Sequence, residues 1–152
     1  MYTRRQMSRF AVASFTLAAA AVITGCGTMG TPSNMVTFST ALSGANEVPA
    51  KITAGKGTVD AVLNKDTNLL KWKVSYSGLS GAATAAHFHG PATASANAGV
   101  ALAWPSAASG SEGSATLTAA QAADLMGGRW YANVHTVANP GGEIRGQMMV
   151  RN

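Results

Sequence analysis

The segment Leu70-Lys71-Trp72-Lys73-Val74-Ser75-Tyr76 alternates without a fault, an apolar or aromatic residue at every even number and a lysine or serine between. Successive side chains of an extended chain point to opposite faces, so a period of two describes a strand with one face in a core and the other in water. The same alternation runs earlier in the chain. Val36, Phe38, Thr40 and Leu42 oppose Thr37, Ser39 and Ala41, and Val59, Ala61 and Leu63 share one face of Gly57 to Leu63. Further strand candidates are Thr84 to His89, Gly99 to Trp104, Gly113 to Leu117, Trp130 to His135 and Glu143 to Val150. Such short runs with turn residues between them predict an all-β fold, an antiparallel Greek-key β-sandwich or barrel of about eight strands.

One short helix interrupts the pattern. Thr118-Ala119-Ala120-Gln121 has the spacing of a capping box, Ala122, Leu125 and Met126 supply an apolar stripe, and Gly127-Gly128 offers a left-handed stop. Asn139-Pro140-Gly141-Gly142 reads as a tight turn. The chain of 152 residues is 47% hydrophobic and only 11% charged, which suits one domain and excludes a disordered or coiled-coil chain.

The formal charge of +5 would suit a polyanionic partner if the basic residues lay in the folded part. Arg4, Arg5 and Arg9, however, precede an uncharged run from Phe10 to Ile23, too short to span a bilayer comfortably, which is the pattern of a signal peptide over residues 1–25. With those three set aside, eight basic and six acidic groups remain, a charge of +2, and nucleic acid is not an expected partner. Ile23-Thr24-Gly25-Cys26 resembles the bacterial lipobox, with Thr24 a mild departure. Cys26 is the only cysteine and has no disulfide partner in its own chain, so lipidation is its expected role, set against a free or buried thiol. Thr3 to Met7 partly resembles a twin-arginine signal, and the export route stays open. The breaker-rich residues 26–34 read as a flexible tether and 35–152 as the domain. Gly27 stands where an aspartate would retain many such lipoproteins at the inner membrane, so the expected location is the cell envelope, on the outer membrane, with the membrane as a partner through the anchor.

The chain has three histidines. His87 and His89 flank Phe88, and residues two apart on a strand lie about 6.6 Å apart on one side, so both rings are able to converge on one ion while Phe88 enters the core. In Trp130 to His135 the core face falls to Trp130, Ala132 and Val134, leaving Tyr131, Asn133 and His135 on the polar face. Three neutral imidazoles suit Cu(II) or Zn(II), with copper the stronger binder at equal availability. Tyr131 and Asn133 are the expected partners that orient an imidazole. Arg129 and Arg145 are candidates for positive charge near the ion, although Glu143 and Arg145, two apart on a face expected to be exposed, are more simply paired with each other or with a neighbouring strand. Met29 and Met35, near the tether, offer soft sulfur for Cu(I), although a tether methionine is more often inert, and Met148 shares a face with Ile144 and Val150, hence core.

Leu42 to Pro49, Thr84 to Ala92, the Leu117-Thr118 helix start, Asn133 to Thr136 and Pro140 to Gly146 together resemble the CHRD domain, a module first described in chordin and widespread in bacterial secreted proteins. The resemblance runs from about Val36 to Val150. It implies an extracytoplasmic β-sandwich, often of unassigned function in bacteria. The chain is also distantly similar to copper-zinc superoxide dismutase, whose His-x-His strand and later Val-His strand match His87, His89 and His135. That likeness implies copper ligation by these three. No fourth, metal-bridging histidine, zinc-ligand loop or disulfide accompanies them, so an enzyme is not expected. The expectation is a lipid-anchored module that binds copper; the alternative is a protein-interaction or structural module without functional metal, facing an unidentified protein partner.

Overall fold

The computed structural model describes residues 34–151, and a strand lies at each alternating run. In chain order the elements are β1 (Met35–Ser43), a single 3-10 turn at Gly44–Asn46, β2 (Lys56–Asn64), β3 (Leu69–Ser77), β4 (Ala83–His89), β5 (Val100–Ala103), β6 (Glu112–Thr116), α1 (Ala119–Met126), β7 (Tyr131–Thr136), β8 (Ile144–Gln147) and β9 (Met149–Val150). The signal-peptide segment, Cys26, Met29 and the tether as far as Ser33 lie outside the described residues. Among the described residues no helix is long and apolar enough to cross a membrane.

Pairing is antiparallel throughout. The sheet order is β5-β4-β7-β8-β1-β2-β3-β6, with β9 beside β1. Four strands separate β4 from β3 along this path. Even so, Trp72 of β3 meets Phe88 of β4 edge to face at 5.4 Å between ring centroids, and Trp104 lies 6.0 Å from Trp72 and 4.9 Å from Phe88. The sheet therefore curls until its two ends face each other, giving the two apolar inner surfaces of a sandwich from one continuous sheet.

That inner space is filled by the residues the alternation assigned to it. Phe38 and Leu42, Val59, Ala61 and Leu63, Leu70, Trp72 and Val74, and Ala86 and Phe88 are all buried, while Lys71, Lys73 and Ser75 stay in water. Each large side chain so covered contributes roughly 1.5–3 kcal/mol of apolar transfer. Trp72 lies over the backbone of Gly113, its partner on β6, where a Cβ would strike the indole. Helix α1 begins at the expected capping box, in which Thr118 Oγ1 accepts from Gln121 N–H and Gln121 Oε1 accepts from Thr118 N–H. Ala122 and Leu125 join the core, but Met126 is exposed and does not join the stripe.

The last predicted strand is broken at Met148. Its side chain turns into the core and its N–H bonds Trp130 O, so β8 pairs with β7 while β9 moves over to β1. The break resets the parity, which is why Val150, expected on the core face with Met148, is exposed instead.

Candidate metal centre

All six residues of β7 are buried, a pattern that a strand with one wet face cannot give. Trp130, Ala132 and Val134 face the apolar core as expected. The opposite face of β4, β7 and β8 carries a second, polar layer, roofed by the loops at 44–55, 90–99 and 137–142. Into this layer point His89, His135, Tyr131, Asn133, Glu47 and Arg145, all buried, and half-buried His87.

The strand register sets the three histidines together. His87 pairs with Asn133 and His89 with Tyr131, so His135, opposite Ala85, is the diagonal neighbour of His87. Ring centroids are 5.5 Å apart for His87 and His89, 4.9 Å for His87 and His135, and 5.8 Å for His89 and His135. One nitrogen from each ring falls within 4.8 Å of the others. An ion bound at about 2.0–2.1 Å to imidazole nitrogens places them about 3–4 Å apart, so the closest pair already fits and the widest closes with a small ring rotation.

Hydrogen bonds fix which nitrogens are free. His89 Nδ1 lies 3.1 Å from Ala98 O and His135 Nδ1 lies 3.0 Å from Pro140 O. A carbonyl only accepts, so both Nδ1 atoms carry the proton and both Nε2 atoms keep their lone pairs. His135 Nε2 accepts from His87 Nδ1 at 3.1 Å. His89 Nε2 is buried with no hydrogen-bond partner, an uncommon and costly state for a ring nitrogen and one that a ligated cation relieves. Burial lowers the pKa of all three rings; the neighbouring His135 adds to this at His87, and His135, His87 and Arg145 add to it at His89. The rings are thus neutral at pH 7, the state that binds metal. The donor set fits a borderline cation such as Cu(II) or Zn(II).

The surroundings differ from expectation in several places. Tyr131 stacks on His89 at 4.9 Å and 5°. Asn133 Nδ2 donates instead to Glu47 Oε2 at 3.3 Å. The atoms that do orient the imidazoles are backbone carbonyls of two loops, which no residue type announces. Glu143 and Arg145, read as an exposed pair, are 0% and 1% exposed and do not touch. Burial pushes the Glu143 carboxyl up, but hydrogen bonds from the Ser80 hydroxyl, Thr136, Thr53 and the Ser80 N–H more than offset this and hold it at about 2. Arg145 stacks over Tyr131, its Cζ 3.5 Å from the ring centroid. Arg129, itself exposed, ion-pairs with half-buried Asp124 on α1. Met35 opens β1 at the end opposite Ser43, the residue that meets Arg145, roughly 26 Å distant along a strand of this length. Glu47 was not foreseen at the site. Burial raises its carboxyl to about 7 against the pull of Arg145, Asn133 and Lys51.

Comparison with protein families matches residues 38–148 to the CHRD domain. The chain belongs to the CHRD family. The match takes in every residue of the polar layer, and the CHRD chain has no significant match among curated proteins or solved structures.

Proposed function

We propose that this CHRD protein is a metal-binding module of the cell envelope, held to a membrane by lipid on Cys26, and that its ion is copper, bound by His87, His89 and His135. The observation that carries the reading is the orphaned Nε2 of His89, buried beside two further neutral imidazoles with ligand atoms within 4.8 Å. Three nitrogens and no carboxylate favour copper over harder cations, and copper over zinc at equal availability. The envelope location is supported by the arginine-led uncharged run before the single cysteine.

Titration of the purified protein with Cu(II), followed by electron paramagnetic resonance, tests the site: about one equivalent should bind with nitrogen hyperfine structure, and His87→Ala or His135→Ala should weaken it by at least tenfold. Unchanged binding after all three histidines become alanine refutes the site. Labelling with radioactive palmitate tests the anchor, which Cys26→Ser should abolish.

A second reading, a protein-interaction module without a functional ion, draws on Ile52 and Val137. These are fully and mostly exposed; Ile52 precedes Thr53 and Val137 follows Thr136, and both of those neighbours bond Glu143. Absence of any spectral change or thermal shift on adding metal favours it.

A further inference from the structure

We propose that Arg145 is a positioning residue for the metal centre: its guanidinium fastens the 91–99 loop and backs Tyr131, and through both it sets the direction in which His89 presents Nε2. This rests on the metal-binding reading above.

The loop from Ala92 to Gly99 is built of alanine, serine, threonine, asparagine and glycine, side chains too small to hold it by packing. Arg145 holds it by its backbone. Nη1 donates to Asn97 Oδ1 at 2.8 Å, and Nη2 is shared among Ala96 O at 2.7 Å, Thr93 O at 3.3 Å and Ala94 O at 3.4 Å. Three carbonyls of one turn thus converge on one planar cation, which a point-charge ammonium cannot reproduce. Asn97 in turn donates to Val48 O at 2.8 Å, tying the loop to its neighbour.

Two routes lead from the guanidinium to His89. The fastened loop ends in Ala98, whose carbonyl accepts from His89 Nδ1 at 3.1 Å and whose N–H donates to Tyr131 Oη at 3.1 Å. The guanidinium also lies on one face of Tyr131 while His89 lies parallel to that ring at 4.9 Å between centroids. His89 therefore has its tautomer fixed by the loop and its ring plane fixed by the tyrosine, and Arg145 bears on both. A ligating imidazole whose second nitrogen is held binds metal more tightly than one free to turn, by roughly 10- to 100-fold.

The test is a double-mutant cycle read by copper titration and electron paramagnetic resonance. Arg145→Met should weaken Cu(II) binding at least tenfold and reduce the coupled nitrogens from three to two, and Asn97→Ala, an exposed position that keeps the fold, should weaken it about threefold. In a His89→Ala background neither substitution should cost anything further. Equal losses with and without His89 would overturn the proposal, as would full affinity in Asn97→Ala should Arg145→Met fail to fold. Nitrogen-15 spectra of the metal-free protein separate this from the metal reading. If the wild type binds no copper yet Asn97→Ala or Arg145→Met mixes the His89 tautomers, the metal centre fails and Arg145 keeps its role; unchanged His89 signals in both variants overturn the role of Arg145 whatever copper does.

Discussion

His87 Nδ1 stands 3.1 Å from His135 Nε2 on the adjacent strand, and this bond has a single polarity. Pro140 O claims the proton of His135 Nδ1, so His135 Nε2 accepts and His87 Nδ1 donates. The histidine cluster is therefore closed by a proton lying between two of its rings. On the metal-binding reading proposed above, an ion held by His135 Nε2 and His87 Nδ1 would require that proton to move to His87 Nε2.

Zinc(II), which is diamagnetic, makes this visible. In the metal-free protein nitrogen-15 spectra should show His87 protonated at Nδ1, and on saturation with zinc the proton should appear at Nε2, while His89 and His135 keep Nδ1–H throughout. A His87 tautomer that stays put with the ion bound would show that His87 ligates through its other nitrogen or not at all.

The pH dependence of the metal-free protein follows from the same rings. Their pKa values are lowered by burial in the folded state, against 6.5 for an ordinary histidine. As pH falls below 6.5 the unfolded chain takes up protons that the folded chain resists, so protons favour unfolding and stability drops through this window. Burial of Glu47 acts in the opposite sense between pH 7 and 4.5, so the histidine contribution is read as a difference: from pH 6.5 to 5 the melting midpoint of the wild type should fall relative to that of His87→Ala/His89→Ala/His135→Ala. Copper should persist below pH 6.5 in the wild type, because protons compete only once they reach the depressed values. Release of half the ion above pH 6.5 would contradict the depressed values.

Most of the fold was legible because one physical rule, the alternation of a strand, operates within single segments: Phe38, Trp72 and Phe88 reached the core that their parity required. It failed where the chain breaks step, at Met148, since nothing local tells Val150 that β9 has changed partners. The histidines' common side was also legible from parity. What escaped was the roof. Parity sorts residues into core and not core, and Glu143, Arg145 and Asn133 were rightly placed off the core; only the long-range packing of three loops turns that face from wet to buried. Glu47 lay in a loop without any period, and its place beside Asn133 depends on a contact between residues 86 positions apart.

Glu143 is a stabilising anion. Its Oε1 accepts from Thr53 Oγ1 and Ser80 N–H, and its Oε2 from the hydroxyls of Ser80 and Thr136 and from Asn139 Nδ2, so one carboxylate ties three loops. With a folded pKa of about 2 against 4.5, it contributes stability that is complete above pH 4.5 and lost as pH falls toward 2, about 3 kcal/mol in all. Glu143→Gln places an amide donor against donors and should cost about 2–4 kcal/mol at pH 7, read as a lower denaturant midpoint. The gap between variant and wild type should narrow at pH 3; a gap independent of pH would show that the charge contributes nothing.

Glu47 should behave in the opposite sense. Its carboxyl, desolvated beneath the 44–55 loop, has a folded pKa of about 7 against 4.5. Between these values the folded state keeps a proton that the unfolded chain has lost, so stability falls as pH rises from 4.5 to 7. Geometry agrees: Glu47 Oε1 and Asn133 Oδ1 are both buried acceptors without a donor, and both crowd Gly142, where a Cβ would meet them. A protonated Glu47 has one O–H to give, and a glutamine has two N–H groups at the same place without a charge to desolvate. Glu47→Gln should therefore raise the melting temperature at pH 8 by the equivalent of roughly 1–3 kcal/mol and leave it nearly unchanged at pH 4.5. A glutamine variant less stable than wild type at pH 8 would mean that the ionised carboxylate is held by Arg145 after all.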